Sequence, residues 1–183
     1  MSELFGSWVA GGNSTEGRKK NDFYGTPKEC TYALLAHMKV PHDVWEPACG
    51  EGAISNILSE FDHHVISTDL NDYGFGASGV DFLKAETAHA DCVITNPPFN
   101  LAEKFIRKCH ELELQSYAML LKTQYWHAAK RVRLFHETKP AKILAMTWRP
   151  DFTLGGSPTM DCIWTIWERG STTTQYLPIE RVR

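Results

Sequence analysis

The stretch from Asp43 to Asp69 restricts this chain to a narrow set of folds. It reads as a short strand (Asp43 to Glu46), a turn of small residues (Pro47-Ala48-Cys49-Gly50-Glu51-Gly52), a helix, and a second strand (His64 to Thr68) that stops at an acid. Ile54, Ile57 and Leu58 recur at helical spacing, which gives the helix one face to bury. Two strands joined by one helix run parallel, and a parallel sheet is buried on both faces by its own crossovers. Ala48, Gly50 and Gly52 leave room for a ligand to approach the backbone. The turn lacks the G-K-[ST] ending of a phosphate loop and the full dinucleotide fingerprint, so alone it is equally the turn of a plain βαβ unit. An acid at the tip of the second strand, roughly twenty residues past the glycines, is where such folds bond ribose hydroxyls. The whole unit therefore points to a nucleoside-containing cofactor.

A second stretch constrains the chemistry. Cys92-Val93-Ile94-Thr95 is short, apolar and β-branched, as an interior parallel strand should be, and it ends at Asn96-Pro97-Pro98-Phe99. Proline has a fixed φ and no N–H, so the pair can neither extend the ladder nor enter a helix. The Asn96 amide and the Pro97 carbonyl are thus held at the carboxyl end of a strand, where open α/β sheets bind ligands. Two fixed acceptors beside an aromatic ring suit a planar amine, bonded through its N–H groups and stacked on its face. An ordinary strand-to-loop turn also uses Asn and Pro.

The remaining chain supports an α/β reading. Residues 1–20 are rich in Gly, Ser and Asn and end in Arg18-Lys19-Lys20, the composition of a flexible arm. Thr26 is placed to cap, and Pro27 to open, a helix running to about Met38. Val80-Asp81-Phe82-Leu83 offers an acid and an aromatic to the cofactor's base. Asp91 to Thr95 is read as the fourth strand, Leu101 to Leu112 as a helix and Tyr117 to Leu121 as the fifth strand. A helix is expected from His127 to about His136, followed by two final strands, Ile143 to Met146 and Cys162 to Trp167. The expected architecture is an open, mostly parallel seven-stranded Rossmann-like sheet with helices on both faces and its last strand antiparallel. Residues 21–183 form a single domain in this reading.

Composition narrows the setting. A chain of 183 residues, 43% hydrophobic and 22% charged, suits a globular domain with a proper core. No apolar run reaches the length of a membrane span, and the start has no signal-peptide pattern. Five scattered cysteines without a C-x-x-C pair argue for reduced thiols in a cytoplasm-like compartment, and against a disulfide framework or zinc site. His63 and His64 are poor metal ligands together, because strand neighbours point to opposite faces. Charge is uneven: residues 1–121 carry 9 Lys/Arg against 17 Asp/Glu, whereas residues 122–149 carry seven basic residues against Glu137 alone. That segment is a candidate phosphate-backbone footprint through Lys122, Trp126, Lys130, Arg131, Arg133 and Arg149, or else a solvated helix face.

Taken together, Asn96 to Phe99, Glu46 to Gly50 and the preceding Thr26-Pro27 resemble the S-adenosylmethionine-dependent DNA adenine-N6 methyltransferases. Cofactor motifs precede the catalytic one, as in the gamma-type order, and small phage-encoded enzymes are the nearest likeness. The resemblance covers most of residues 22–125. It implies that Asp69 and Leu70 hold the cofactor ribose side and that Asp81 and Phe82 frame its adenine. Tyr24, Thr26, Pro27 and the Glu46-Pro47-Ala48-Cys49-Gly50 turn would line the methionine end, next to Asn96. The target adenine, flipped from duplex DNA or taken from a single strand, would stack on Phe99, with Asn96 and Pro97 accepting its amino hydrogens and Pro98 stiffening the loop. The departure is size: no separate target-recognition domain fits, which implies loose specificity. RNA adenine, cytosine N4, a protein amide, and a non-catalytic nucleic-acid-binding module remain alternatives, as does a homodimer that completes the recognition surface.

Overall fold

The computed structural model describes residues 25–153, 155 and 158–182, so the arm at 1–20 and Tyr24 lie outside the described residues. In chain order the elements are α1 (Lys28–Leu35), β1 (Asp43–Glu46), α2 (Ala53–Glu60), β2 (His64–Ser67), β3 (Cys92–Thr95) and α3 (Ala102–Glu111). They continue with β4 (Ser116–Lys122), α4 (Val132–Thr138), β5 (Lys142–Met146), β6 (Cys162–Glu168) and β7 (Gln175–Ile179). Seven strands make one sheet in the order β2-β1-β3-β4-β6-β5-β7. All run parallel except β6, which is antiparallel to β4 on one side and to β5 on the other.

Alternation along the strands feeds two cores. Val44, Ile94, Leu120 and Trp164 join one face with Leu34 of α1 and Leu58 of α2. Trp45, Val93, Met119 and Ile163 join the other with Ile106 of α3 and Leu134 of α4. The seven-stranded, mostly parallel sheet with helices on both faces therefore stands as expected, with Cys162–Glu168 as the antiparallel strand. Its membership differs in two places. No strand forms between β2 and β3, because Phe82–Lys84 is a 3₁₀ turn capped by Asp81, whose Oδ1 accepts from the Leu83 amide at 3.1 Å. The true last strand is β7, which lies parallel to β5 at the sheet edge.

Two helical expectations also shift. α1 begins at Lys28 and ends at Leu35, with Pro27 in the cap position and no side-chain cap. The Thr26 hydroxyl is engaged elsewhere, as described below. The helix expected at His127 to His136 is two 3₁₀ turns (Thr123–His127 and Ala129–Arg131) followed by α4 at Val132–Thr138.

Two buried tryptophans tie separate elements together, one within the sheet and one between the sheet and a helix. Trp45 Nε1 donates to Thr68 Oγ1 at 2.9 Å, joining β1 to the tip of β2. Trp164 Nε1 donates to the Cys30 carbonyl at 2.8 Å, joining β6 to α1 across 134 residues of sequence. Replacing Trp164 by Phe removes the indole donor from that carbonyl and opens a gap in a fully buried site. The expected cost is about 2–3 kcal/mol, or a fall in Tm of roughly 4–10 °C in a domain of this size. Thermal melts of W164F against wild type check it, and an unchanged Tm would show that the tie is dispensable.

Candidate active site

Because β1 lies between β2 and β3, the strand order reverses there, and a crevice opens at the carboxyl ends of these strands. The crevice is a cavity of about 490 Å³, within the range of small-molecule sites. It brings together Thr26, Glu46, Pro47, Ala48, Cys49, Asp69, Leu70, Asp81, Phe82 and all four residues of Asn96 to Phe99. Pro27 and Gly50, also expected at the cofactor, do not line it: Pro27 starts α1, and Gly50 supports the wall from behind.

The glycine turn is built from the strand end upward. Gly50 and Gly52 have φ of 52° and 82°, left-handed conformations that side chains rarely adopt. A Cβ on Gly52 would also lie 2.5 Å from the Phe75 ring, so the glycine seats the loop that follows β2. Asp69, 7% exposed, clamps the same two segments: one carboxylate oxygen accepts from the Gly50 amide at 3.0 Å, the other from the Asn71 amide at 2.8 Å. Two backbone donors on one carboxylate keep it fixed at the cavity wall.

Glu46 closes the floor and is only 2% exposed. Its Oε2 accepts from the Ser55 amide at 2.8 Å and from the Ser55 hydroxyl, which in turn contacts Ser67 Oγ at 2.6 Å. Burial pushes the Glu46 carboxyl up to about 8, with the Asp69 charge adding to the rise while the Ser55 bonds oppose it. Burial and the two carboxyls likewise push the Cys49 thiol up to about 12, so it stays protonated. Ser55 was not singled out from sequence. Its signal was present nonetheless: a serine beside Ile54 on a helix face otherwise apolar at Ile57 and Leu58 needs a buried partner.

On the opposite wall, Asn96 Nδ2 donates to Thr26 Oγ1 at 3.1 Å, which fixes the plane of the Asn96 amide. The Pro98 carbonyl accepts from the Leu101 amide at 2.8 Å and so leads directly into α3. Lys122 Nζ stands 4.5 Å from the centroid of the Phe99 ring. No Lys, Arg or His occurs among the described residues that line the cavity, whereas Glu46, Asp69 and Asp81 do. A pocket of carboxylates with apolar Leu70, Val80 and Phe82 along it fits a cationic ligand that carries a planar, hydroxylated part.

The basic segment is less uniform than its sequence. Arg131 lies on the Tyr125 ring at 3.9 Å and donates to the Tyr125 carbonyl at 2.6 Å. Arg133 pairs with Glu137 at 2.5 Å and Arg149 with Asp161 at 2.9 Å. Trp126 is half-buried and donates to Thr165 Oγ1 at 3.2 Å, while Lys130 is exposed.

The fold has known counterparts, although no family model and no curated protein matches the sequence. A proposed class I S-adenosylmethionine-dependent methyltransferase from Listeria monocytogenes superposes with a TM-score of 0.61 at 14% identity. The match covers 85% of this chain and 65% of that one, so the chain spans just under two thirds of its length. A proposed RNA methyltransferase from Pyrococcus horikoshii gives 0.61 at 15% identity, over 81% and 88%. The modification subunit of a proposed type I restriction enzyme from Vibrio vulnificus gives 0.57 at 11% identity, over 83% and 45%. The chain has the Rossmann-like fold of these methyltransferases.

The raised Glu46 carboxyl has a measurable consequence. Its folded value lies above that of an unfolded carboxylate, so the stability it contributes is complete at acid pH and is lost as pH rises from about 4.5 through about 8. E46Q is expected to flatten the decline in Tm between about pH 5 and 8. Parallel wild-type and mutant slopes across that window would show that Glu46 is ionised throughout.

Proposed function

We propose that the chain transfers a methyl group from S-adenosylmethionine to the N6 amine of adenine in DNA, reading little sequence beyond the target base. The observation that carries this reading is the shared cavity: the acid-lined cradle and the Asn-Pro-Pro-Phe loop face one space. Bound there, S-adenosylmethionine supplies a methyl group on a sulfonium leaving group. Glu46, Asp69 and Asp81 would balance its positive charges, Asp69 would accept from its ribose hydroxyls, and Leu70 and Phe82 would cover its base.

The loop does the rest of the chemistry. The N6 lone pair of adenine is delocalised into the ring and is a poor nucleophile. Acceptors at the Asn96 amide oxygen and the Pro97 carbonyl hold the amino hydrogens so that nitrogen becomes tetrahedral and electron density returns to it. Thr26 accepts from the Asn96 nitrogen, the orientation in which the amide oxygen would be the atom that accepts from the amine. Phe99 stacks the base and fixes the line of approach, which supplies much of the acceleration by positioning. No strong base is needed before attack, because the amine becomes acidic as the methyl arrives. Phosphate contacts from the basic segment would supply most of the affinity.

The test is transfer of labelled methyl to unmethylated DNA, RNA and protein in parallel, with nucleosides separated afterwards. Label in N6-methyladenine of DNA supports the proposal, and N96A is expected to lower the rate at least 100-fold. Label confined to RNA would move the substrate, a reading favoured by the RNA methyltransferase among the structural neighbours. Cofactor binding with no label anywhere would leave a nucleic-acid-binding module. T26V tests the amide's orientation separately: kcat/KM should fall roughly ten-fold, since one hydrogen bond is lost and no reacting group is removed.

A further inference from the structure

The βαβ unit at β1, α2 and β2 is the one that other Rossmann-like proteins use to hold a dinucleotide. There the pyrophosphate rests on the first turn of the crossover helix and against the bare backbone of the glycine turn. Here α2 opens at Ala53 on the cavity wall, so the same place faces the ligand. It is already filled from within the chain. Glu46 Oε2 accepts from the Ser55 amide in the first turn of α2 at 2.8 Å, and also from the Ser55 hydroxyl. Asp69 Oδ2 accepts from the Gly50 amide of the turn at 3.0 Å. The tip of the Phe75 ring abuts Gly52, so close that a Cβ there would lie 2.5 Å from it.

These three side chains act against a phosphate in different ways. The two carboxyl groups take amides from which a phosphate oxygen would otherwise accept. A carboxyl at the first turn of α2 also balances the positive end of the helix dipole. Both place acceptors where an anion needs donors, and no Lys, Arg or His among the described lining residues offsets them. Phe75 fills the space at the glycine, where a pyrophosphate would have to approach the backbone.

Resting on the nucleoside cradle of the methyl-transfer reading, we infer that Glu46, Asp69 and Phe75 set its specificity by rejecting phosphorylated nucleosides. With the ribose on Asp69, the 5′ substituent runs along the turn from Glu46 to Gly52. A cationic or uncharged 5′ group is accepted there, whereas a 5′ phosphate or pyrophosphate meets two carboxyl groups and a ring. ADP, ATP and NAD share their adenine and ribose with S-adenosylmethionine, so the discrimination falls on this turn. Selectivity of this kind comes from disfavouring the wrong ligand and needs no added contact to the right one.

The experiment measures dissociation constants of adenosine and ADP on the same protein by calorimetry. It is run at about pH 9, above the value of about 8 to which burial raises the Glu46 carboxyl. The ratio of the two constants cancels any general loss of affinity in a variant. Wild type is expected to bind ADP at least about 100-fold more weakly than adenosine. E46Q keeps an acceptor for Ser55 but removes the charge, and should narrow the ratio roughly ten-fold. E46A, which also frees the Ser55 amide, should narrow it further, and F75A should narrow it by opening the space at Gly52. A wild-type ratio near one, or the wild-type ratio retained in all three variants, would overturn this inference and leave methyl transfer standing. A large ratio with no methyl transfer in the labelling assay would overturn the methyl-transfer reading alone. Wild type that binds neither adenosine nor S-adenosylmethionine would overturn both.

Discussion

The crevice exists because the order of strands reverses at β1. β2 returns on one side through α2, and β3 and β4 are laid down on the other, with α3 packed on the opposite face. Crossovers place α2 and α3 on opposite faces of the sheet at that point, and the strand ends open into the cavity between them. Three residues of the cavity wall sit at or just past strand ends: Glu46 closes β1, Asp69 follows β2 and Asn96 follows β3. Moving any one of those termini by a residue would turn its side chain onto a packed face.

Within the gap, electrostatics and burial are set against each other. A carboxyl as enclosed as Glu46 resists ionisation, and two bonds from Ser55 relieve only part of that resistance. Asp69 accepts two backbone amides instead. Glu46 is therefore the carboxyl that gains from a cationic neighbour. A positively charged ligand would relieve that tension, and a neutral one would leave it in place.

How much of this was legible in the sequence follows from the range of each interaction. The turn after β1, the acid after β2 and the loop after β3 are local patterns whose meaning lies within a few residues, and they converge as read. β7 was not visible because Gln175 to Ile179 is short, mostly exposed and interrupted by Pro178, so it lacks the alternation of a core strand. The segment after β4 carries helix-forming residues, yet it forms 3₁₀ turns in which Trp126 bonds to Thr165 and packs on Phe135 while Arg131 lies on Tyr125. Thr26 looked like a cap because local rules assign it that role. Its actual partner is 70 residues away, a distance no local rule covers. The same holds for Lys122 over Phe99 and for Arg131 over Tyr125, where a charge in a basic run finds an aromatic face.

The far edge of the sheet has a property of its own. In β7 the Gln175 amide and the Ile179 carbonyl both point toward β5's side, so residues 176 and 178 turn their backbones outward. Position 178 is a proline and has no hydrogen to offer, and Tyr176 projects a large side chain beside it. A foreign strand arriving there would find a ladder with a missing rung, which blunts the templating that exposed edges otherwise invite. The residue that hid this strand from a reading of the sequence thus also caps the growth of the sheet.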